Sequence, residues 1–193
     1  MARIGILALQ GAFREHAQAF ERLGAQPVEV RLPRQIEGLD GLVIPGGEST
    51  TISLLLDSYD LRQPIIDMAE QGLPIWGTCA GMIMLAKGLQ DGRVRSLGLM
   101  DIQVVRNAFG RQIDSFEVDL PIPVLGERPF RAVFIRAPIV SAVGEGVEVL
   151  ARLPDGRIAA TRQGKLLASA FHPELTSDLR FHRLFLDMGD REA

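Results

Sequence analysis

The distribution of apolar positions divides the chain into two halves. In the first, short runs apolar nearly throughout alternate with stretches whose apolar residues recur at helical spacing. Arg3 to Leu9 reads as a strand buried on both faces, with Gln10-Gly11 as the turn that ends it. Phe13, Ala17, Phe20 and Gly24 then mark a helix. Pro27 to Leu32 and Gly41 to Ile44 read as further strands. Pro45-Gly46-Gly47-Glu48-Ser49-Thr50 breaks the second of these, with Ser49 or Thr50 expected as N-cap of a helix that carries Ile52, Leu55 and Leu56. Another helical stretch, from about Pro64 to Gln71, leads into the apolar run Leu73 to Trp76. The order β-α-β-β-α-β is that of an open, mostly parallel sheet flanked by helices.

The second half is patterned differently. Asp101 to Arg106 and Ser115 to Leu120 alternate like half-buried strands, with Asn107 to Arg111 as the loop between them. Val133 to Arg136, Val147 to Leu153, Ile158 to Arg162 and Leu166 to Phe171 are short strands separated by Gly, Pro and Asp turns, and Asp155-Gly156 suits a hairpin tip. Asp178 to Met188 closes the chain as a helix whose apolar face is Phe181, Leu184, Phe185 and Met188. No repeat or linker divides residues 1–193, so one α/β domain is expected, with antiparallel elaboration in its second half.

Composition narrows the class. A chain of 193 residues, 47% hydrophobic, can bury a sizeable core. A net charge of −3 gives no electrostatic ground for a nucleic-acid partner. No apolar run approaches the roughly 18 residues of a membrane span. Ile4 to Leu9 imitates the core of a signal peptide, but Gly5 interrupts it and Arg14-Glu15-His16 follows without a cleavage site. One unpaired cysteine suits a reducing compartment, and the cytoplasm is the expected location.

That cysteine stands in Gly77-Thr78-Cys79-Ala80-Gly81, between an apolar strand and a run with helical residues. This is the strand–turn–helix layout of a nucleophile elbow, with cysteine where the hydrolase version has serine. A side chain at Gly77 or Gly81 would crowd the turn, and the Ala80 amide would sit at a helix start, free to bind an oxyanion. The competing reading is a buried cysteine serving as a small hydrophobe. A nucleophilic cysteine needs a base, and the base an orienting group. Of three histidines, His16 is expected to face solvent beside Arg14 and Glu15, and His182 has a similarly weak claim. His172 stands where an apolar strand runs into Pro173, with Glu174 two residues on to accept its N–H. The Gly46-Gly47 turn ends a strand on the same side of the sheet as Cys79, where ligands of open α/β sheets bind.

Gly77-Thr78-Cys79-Ala80-Gly81, Pro45-Gly46-Gly47-Glu48-Ser49 and Phe171-His172-Pro173-Glu174 together resemble the class I, triad-type glutamine amidotransferases. Leu9-Gln10-Gly11-Ala12, Arg14-Glu15-His16, Ser49-Thr50-Thr51, Arg106 to Gln112 and Phe134 to Pro138 narrow the likeness to the glutaminase subunits of pyridoxal 5′-phosphate synthase. Ala108 departs from the serine commoner there. The resemblance implies Cys79 as nucleophile, His172 as general base and acid, and Glu174 as the orienting carboxylate. It implies Gly47 and Ala80 as oxyanion-hole amides, and L-glutamine held by Gly47, Glu48, Ser49, Arg106, Ile135 and Arg136. For the last three residues the resemblance is the only ground. It further implies no metal and no cofactor, and ammonia passed to a separate synthase (lyase) subunit in a large hetero-oligomer. Pyridoxal phosphate would be that partner's product. The partner is expected to dock near Gln10-Gly11-Ala12 and the Arg14 to Glu21 helix start. The alternatives are a class I glutaminase serving a different synthase, a non-glutaminase cysteine hydrolase or redox protein of similar fold, and a catalytically silent binding module.

Overall fold

The parallel half forms as the apolar runs foretell. In the computed structural model, which describes residues 1–90, 92–108 and 115–190, β1 (Arg3–Leu7), β2 (Gln26–Val30), β3 (Gly41–Ile44) and β4 (Ile75–Thr78) pair in parallel in the order β2-β1-β3-β4. β3 and β4 are buried at every position, as strands covered on both faces must be. The connections run through α1 (Phe13–Arg22), α2 (Ser49–Ser58) and α3 (Arg62–Glu70). After β4 come α4 (Ala80–Leu85), which is entirely buried, and a short strand, β5 (Ala86–Leu89), that the sequence pattern does not announce.

The second half extends and decorates this sheet. It supplies β6 (Met100–Val105), β7 (Ser115–Leu120), β8 (Phe130–Ile135), β9 (Ile139–Val143), β10 (Glu148–Arg152), β11 (Ile158–Gln163), β12 (Leu166–Ser169) and the terminal helix α5 (Arg180–Asp190). The ten-stranded sheet continues from β4 as β12-β11-β9-β6-β5, with β10 paired to β11, while β7 and β8 form a separate antiparallel ribbon. β10 and β11 are the hairpin expected around Asp155-Gly156: Gly156 has φ 88 and its N–H donates to the Leu153 carbonyl at 2.9 Å.

One pairing sets the two halves against each other. β12 returns from the antiparallel half and lies parallel to β4 in level register, Leu166 opposite Ile75 and Ser169 opposite Thr78. The two strands therefore end at the same edge, one releasing Cys79 and the other the segment that carries His172. Side chains alternate along β4. Gly77 faces α4, where an added Cβ would meet the Gly81 backbone. Trp76 faces the layer of α1 and α5, stacking on Phe181 at 5.9 Å between ring centroids, with Phe20 and Phe185 beyond. The buried apolar residues of both halves form one continuous core. Among the described residues no helix is long and apolar enough to cross a membrane.

Candidate active site

The strand ends gather one cavity of about 360 Å³ at the carboxyl edge of the sheet. Gln10 comes to it from beyond β1, Gly47, Glu48 and Ser49 from beyond β3, Cys79, Ala80 and Ile83 from the β4–α4 junction, and His172 from beyond β12. Arg106, Asn107, Ile135, Arg136 and Pro138 complete the wall from the second half. A crevice at strand carboxyl ends is where open α/β sheets bind ligands.

Cys79 occupies a sharp turn. Its φ of 50 and ψ of −105 lie outside the regions comfortable for a side chain, and its N–H is tied to the Ser169 carbonyl at 2.8 Å. The turn closes only because Gly77 and Gly81 lack side chains; a Cβ on Gly81 would overlap the Ile44 carbonyl. Ala80 follows as the first residue of α4, where backbone N–H groups have no intrahelical acceptor. Among the described residues four other than glycine have positive φ. Three of them, Cys79, Asn107 and Arg136, line this cavity. Strain of this kind persists where the surrounding structure over-determines it.

His172 links the sulfur to a buried acid. Its ring interacts with the Cys79 side chain, and its Nδ1 lies 2.7 Å from Glu174 Oε1. The Cys79 sulfur also sits 3.8 Å from the Ile135 carbonyl. The His172 backbone N–H donates to the Val133 carbonyl at 2.8 Å, so the β7–β8 ribbon helps fix where the ring stands. Burial works against the charged imidazolium. The hydrogen bonds to Cys79 and Glu174, with the charges they bring, outweigh it and lift His172 up to about 10. For Glu174 burial would raise the carboxyl, and the neighbouring His16 and His172 reverse this and hold it below its ordinary value.

The glycine turn beyond β3 forms the facing wall. A Cβ on Gly46 would stand 2.5 Å from His172 Cε1 and 3.3 Å from Cys79 Cβ, so only glycine lets the loop lie against the site. The N-cap of α2 is Glu48, not Ser49 or Thr50 as the sequence suggests. With its backbone extended, the Glu48 side chain curls back to accept the N–H groups of Thr50 at 3.0 Å and Thr51 at 2.7 Å, which leaves Ser49 buried inside the first turn. Burial nudges the Glu48 carboxyl upward, but those two backbone donors and the Thr51 hydroxyl bring it down to about 2. Arg106 reaches the same carboxylate at 3.3 Å. Gln10 Oε1 accepts the Glu48 N–H at 2.7 Å, and Gly11 backs directly onto the Gly46 carbonyl. The first turn of the chain is thus locked to this loop.

The residues given catalytic, oxyanion or glutamine-binding roles from the sequence lie in this cavity or, for Glu174, directly behind it. Phe109 to Gln112, the remainder of the stretch that begins at Arg106, lie outside the described residues, as does the end of the Asn107 to Arg111 loop. Gln10, Ile83, Asn107 and Pro138 join the wall without having been singled out as site residues. Two histidines need correction. His16 does not face solvent, and His182, given only a weak claim as the base, is as deeply buried; neither has any exposure. The buried stripe of α1 is His16, Ala19 and Phe20, one position round from the Phe13, Ala17 and Phe20 series that the apolar pattern favours. An i, i+3, i+4 count that admitted histidine would have found it. His182 likewise sits one residue from Phe181 and three from Phe185, on the inward face of α5. No group of His, Cys, Asp and Glu among the described residues is arranged to hold a metal ion.

Comparison with known proteins agrees over nearly the whole chain. The family model described as the SNO glutamine amidotransferase family matches residues 6–190. The "Pyridoxal 5'-phosphate synthase subunit PdxT" of Herpetosiphon aurantiacus is 62% identical over 188 residues, covering 96% of this chain and 99% of the relative. The protein of the same name from Pelotomaculum thermopropionicum is 59% identical over 185 residues, covering 96% and 94%. A solved structure described as a glutamine amidotransferase superimposes with a TM-score of 0.90 at 50% identity, covering 97% of this chain and 99% of that one.

Proposed function

The chain belongs to the SNO glutamine amidotransferase family, and from that premise we propose that it hydrolyses L-glutamine to L-glutamate and hands the ammonia to a pyridoxal 5′-phosphate synthase subunit. The observation that carries the chemistry is the line of contacts from Cys79 through His172 to Glu174, opening on a cavity walled by an oxyanion-ready turn.

The Cys79 thiolate attacks the side-chain amide carbon of glutamine. The C–S bond forms as the carbonyl electrons move onto oxygen, where the amides of Gly47 and Ala80 meet the charge. His172, held protonated by its two partners, gives its proton to the departing nitrogen, and the C–N bond breaks to leave ammonia and a thioester. The now neutral His172 takes a proton from water, whose oxygen attacks the thioester carbon. Collapse of the second tetrahedral species expels the Cys79 thiolate and frees glutamate. One water is consumed and every proton is returned. Glu174 keeps Nδ1 of His172 occupied, so that the other ring nitrogen does the proton transfers.

Glutamine is held by the Gly47-Glu48-Ser49 turn, Arg106 and the Ile135-Arg136 segment, all of which line the cavity. The synthase docks at the Gln10-Gly11-Ala12 turn and the start of α1. Support for that surface comes from Gln10, whose side chain holds the Glu48 N–H next to the proposed oxyanion amide of Gly47. A partner that moves this turn therefore moves the loop. A cytoplasmic setting suits a nucleophile that must stay reduced.

The test is ammonia release from glutamine by the full-length chain, alone and with excess synthase subunit. Release that the synthase raises, together with pyridoxal phosphate formed from pentose and triose phosphates, is the expected result. Glutamine hydrolysis indifferent to that subunit would assign the chain to another synthase, and no hydrolysis under either condition would remove the glutaminase reading.

A further inference from the structure

Behind Glu174, on the side away from the cavity, lies a sealed polar cluster that glutamine hydrolysis at Cys79 does not use. His16 comes from α1, His182 from α5 and Thr78 from the end of β4, and none of the three is exposed. His182 Nε2 is 3.0 Å from His16 Nδ1. His16 Nε2 is 3.3 Å from Glu174 Oε2 and 3.3 Å from Thr78 Oγ1, which already accepts the Gly46 N–H at 3.1 Å. Trp76 packs edge-on against both imidazoles, at 5.4 Å and 5.0 Å between centroids. Two buried polar atoms here, Glu174 Oε2 and His182 Nδ1, have no hydrogen-bond partner.

Those two atoms decide where the protons are. Suppose His16 carried its proton on Nδ1. Its Nε2 lone pair would then face the carboxylate oxygen, and His182, forced to accept at Nε2, would bury an N–H at Nδ1 with no acceptor. Both outcomes are costly in a cluster closed to bulk solvent. With the proton on Nε2 both problems vanish. His16 Nε2–H donates to Thr78 Oγ1 with its positive end also 3.3 Å from Glu174 Oε2, His182 Nε2–H donates to His16 Nδ1, and His182 Nδ1 is left as a bare lone pair. Burial keeps both rings neutral, lowering His16 and taking His182 down to about 2.

We propose that His16, braced by His182, is a positioning residue for this site: its Nε2–H, 3.3 Å from Glu174 Oε2, attracts that oxygen so that Oε1 stays on His172 Nδ1. The proposal rests on the reading of Cys79, His172 and Glu174 as a triad. It extends the line of polar contacts from Cys79 through His172, Glu174 and His16 to His182, and it makes the first and last helices part of the site's rear wall. The competing possibility is that two neutral histidines merely fill an aromatic pocket with Phe20, Trp76 and Phe185.

The two differ in what happens to Glu174. Around it stand His172 on its own segment, His16 from α1, His182 behind His16 from α5, and Cys79 beyond His172, with exposed Glu15 also acting on His16 through its charge. A donor to the ionised carboxylate favours that form, so its removal raises the pH at which Glu174 takes up a proton. The acid limb of kcat/KM should then move to higher pH. A filler residue would change how much protein folds and leave the limb where it was.

The experiment compares the wild-type chain with His16→Leu, His16→Gln and Glu174→Gln, each alone and with the synthase subunit, over the pH profile. His16→Leu should lower kcat about ten- to a hundredfold, the usual worth of a group that orients a site's first ligands. The glutamine KM should stay within about twofold, and the acid limb should move up. His16→Gln, whose amide can donate from the place of Nε2–H, should recover most of the rate and the limb. Wild-type kcat and limb in His16→Leu would overturn the proposal, as would His16→Gln failing equally with the limb unmoved. Should His16→Leu not fold, His182→Phe keeps the pocket filled while removing the brace, and an unmoved limb there counts against the proposal in the same way. Wild-type turnover in Glu174→Gln would remove the triad reading itself, whereas a crippled Glu174→Gln beside an unaffected His16→Leu removes only the role given to His16.

Discussion

The site has two carboxylates, and their surroundings have little in common. Glu48 stands at the rim, its side chain half exposed, occupied by two backbone N–H groups, a hydroxyl and Arg106. Glu174 stands at the back with no exposed side-chain surface, and its neighbours are two imidazoles. Both are held below the ordinary carboxylate range, the rim group by backbone donors and the rear group by histidines that oppose its burial. The rim can exchange its partners for a substrate. The rear wall cannot rearrange without burying an unpaired charge or donor, which is what a fixed orienting group requires. Substitutions at the front should therefore act mainly on binding, and those along the line to the rear mainly on turnover.

The largest effect belongs to the atom at which the line opens on the cavity. Cys79→Ala should lower ammonia release by about 10⁴- to 10⁶-fold while glutamine still binds, because alanine removes the sulfur and little volume. A turnover assay measures the loss, and calorimetric titration with glutamine measures the binding that remains. Residual turnover near wild type would dismiss Cys79 as nucleophile.

Glu174→Gln should come next, costing about 10²- to 10⁴-fold in kcat with KM little changed. The amide cannot satisfy both histidines. If its oxygen accepts from His172, its NH2 group confronts the Nε2–H of His16; if it turns over, it presents a donor to His172 and imposes the wrong tautomer. A variant with wild-type kcat would mean that some other acid orients His172.

The same contrast separates what the sequence discloses from what it does not. Cys79, His172 and Glu174 were legible as candidates because each follows an apolar run within two residues of Gly or Pro, where strand chemistry stops abruptly. The parallel strands were legible for the related reason that burial on both faces leaves β3 and β4 without polar interruptions. The rear wall was hidden because His16 and His182 lie in helices with charged neighbours, and neutral imidazole on a buried face looks in one dimension like a surface residue. β9 was missed because its exposed positions Ser141, Ala142 and Val143 break the alternation. Glu48 as N-cap was missed because short Ser and Thr are the usual caps and two of them follow it. Arg106, Ile135 and Arg136 had no local signal at all. Their approach to the cavity depends on the chain leaving the parallel half and returning as β12, a non-local event that no window of sequence contains.

Arg106→Ala moves the test to the rim. Losing one charge-assisted hydrogen bond from a binding site costs about 1.5–3 kcal/mol, or roughly ten- to a hundredfold. Here that should appear as a higher glutamine KM with kcat within about threefold, since Arg106 reaches the rim carboxylate Glu48. Steady-state kinetics at saturating synthase measures it. An unchanged KM would reduce Arg106 to a partner of Glu48, and a fall confined to kcat would erase the division between rim and rear.

The smallest effect is expected at Glu48, and it should be visible in stability as well as binding. Glutamine in its place keeps one acceptor for the N–H groups of Thr50 and Thr51 and loses the charge that favours a helix N-terminus. The depressed carboxyl cannot be converted directly into stability, because a half-exposed group is screened by solvent; a capping loss of about 0.5–1 kcal/mol is the applicable scale. In a chain of this length that corresponds to a fall of about 1–4 °C in Tm. The pH dependence has a definite sign. Folding lowers the Glu48 pKa from 4.5 to about 2, so the charged cap stabilises fully above about pH 4.5 and progressively less as pH falls toward 2. The Tm gap between the wild type and Glu48→Gln should thus be present at pH 7 and narrow below about pH 4.5. Thermal scans of both proteins in matched buffers decide it. Equal Tm at pH 7, or a gap that stays constant down to pH 3, would show that the carboxylate does not act as a charged cap, and its hold on Arg106 would then be its main role at the rim.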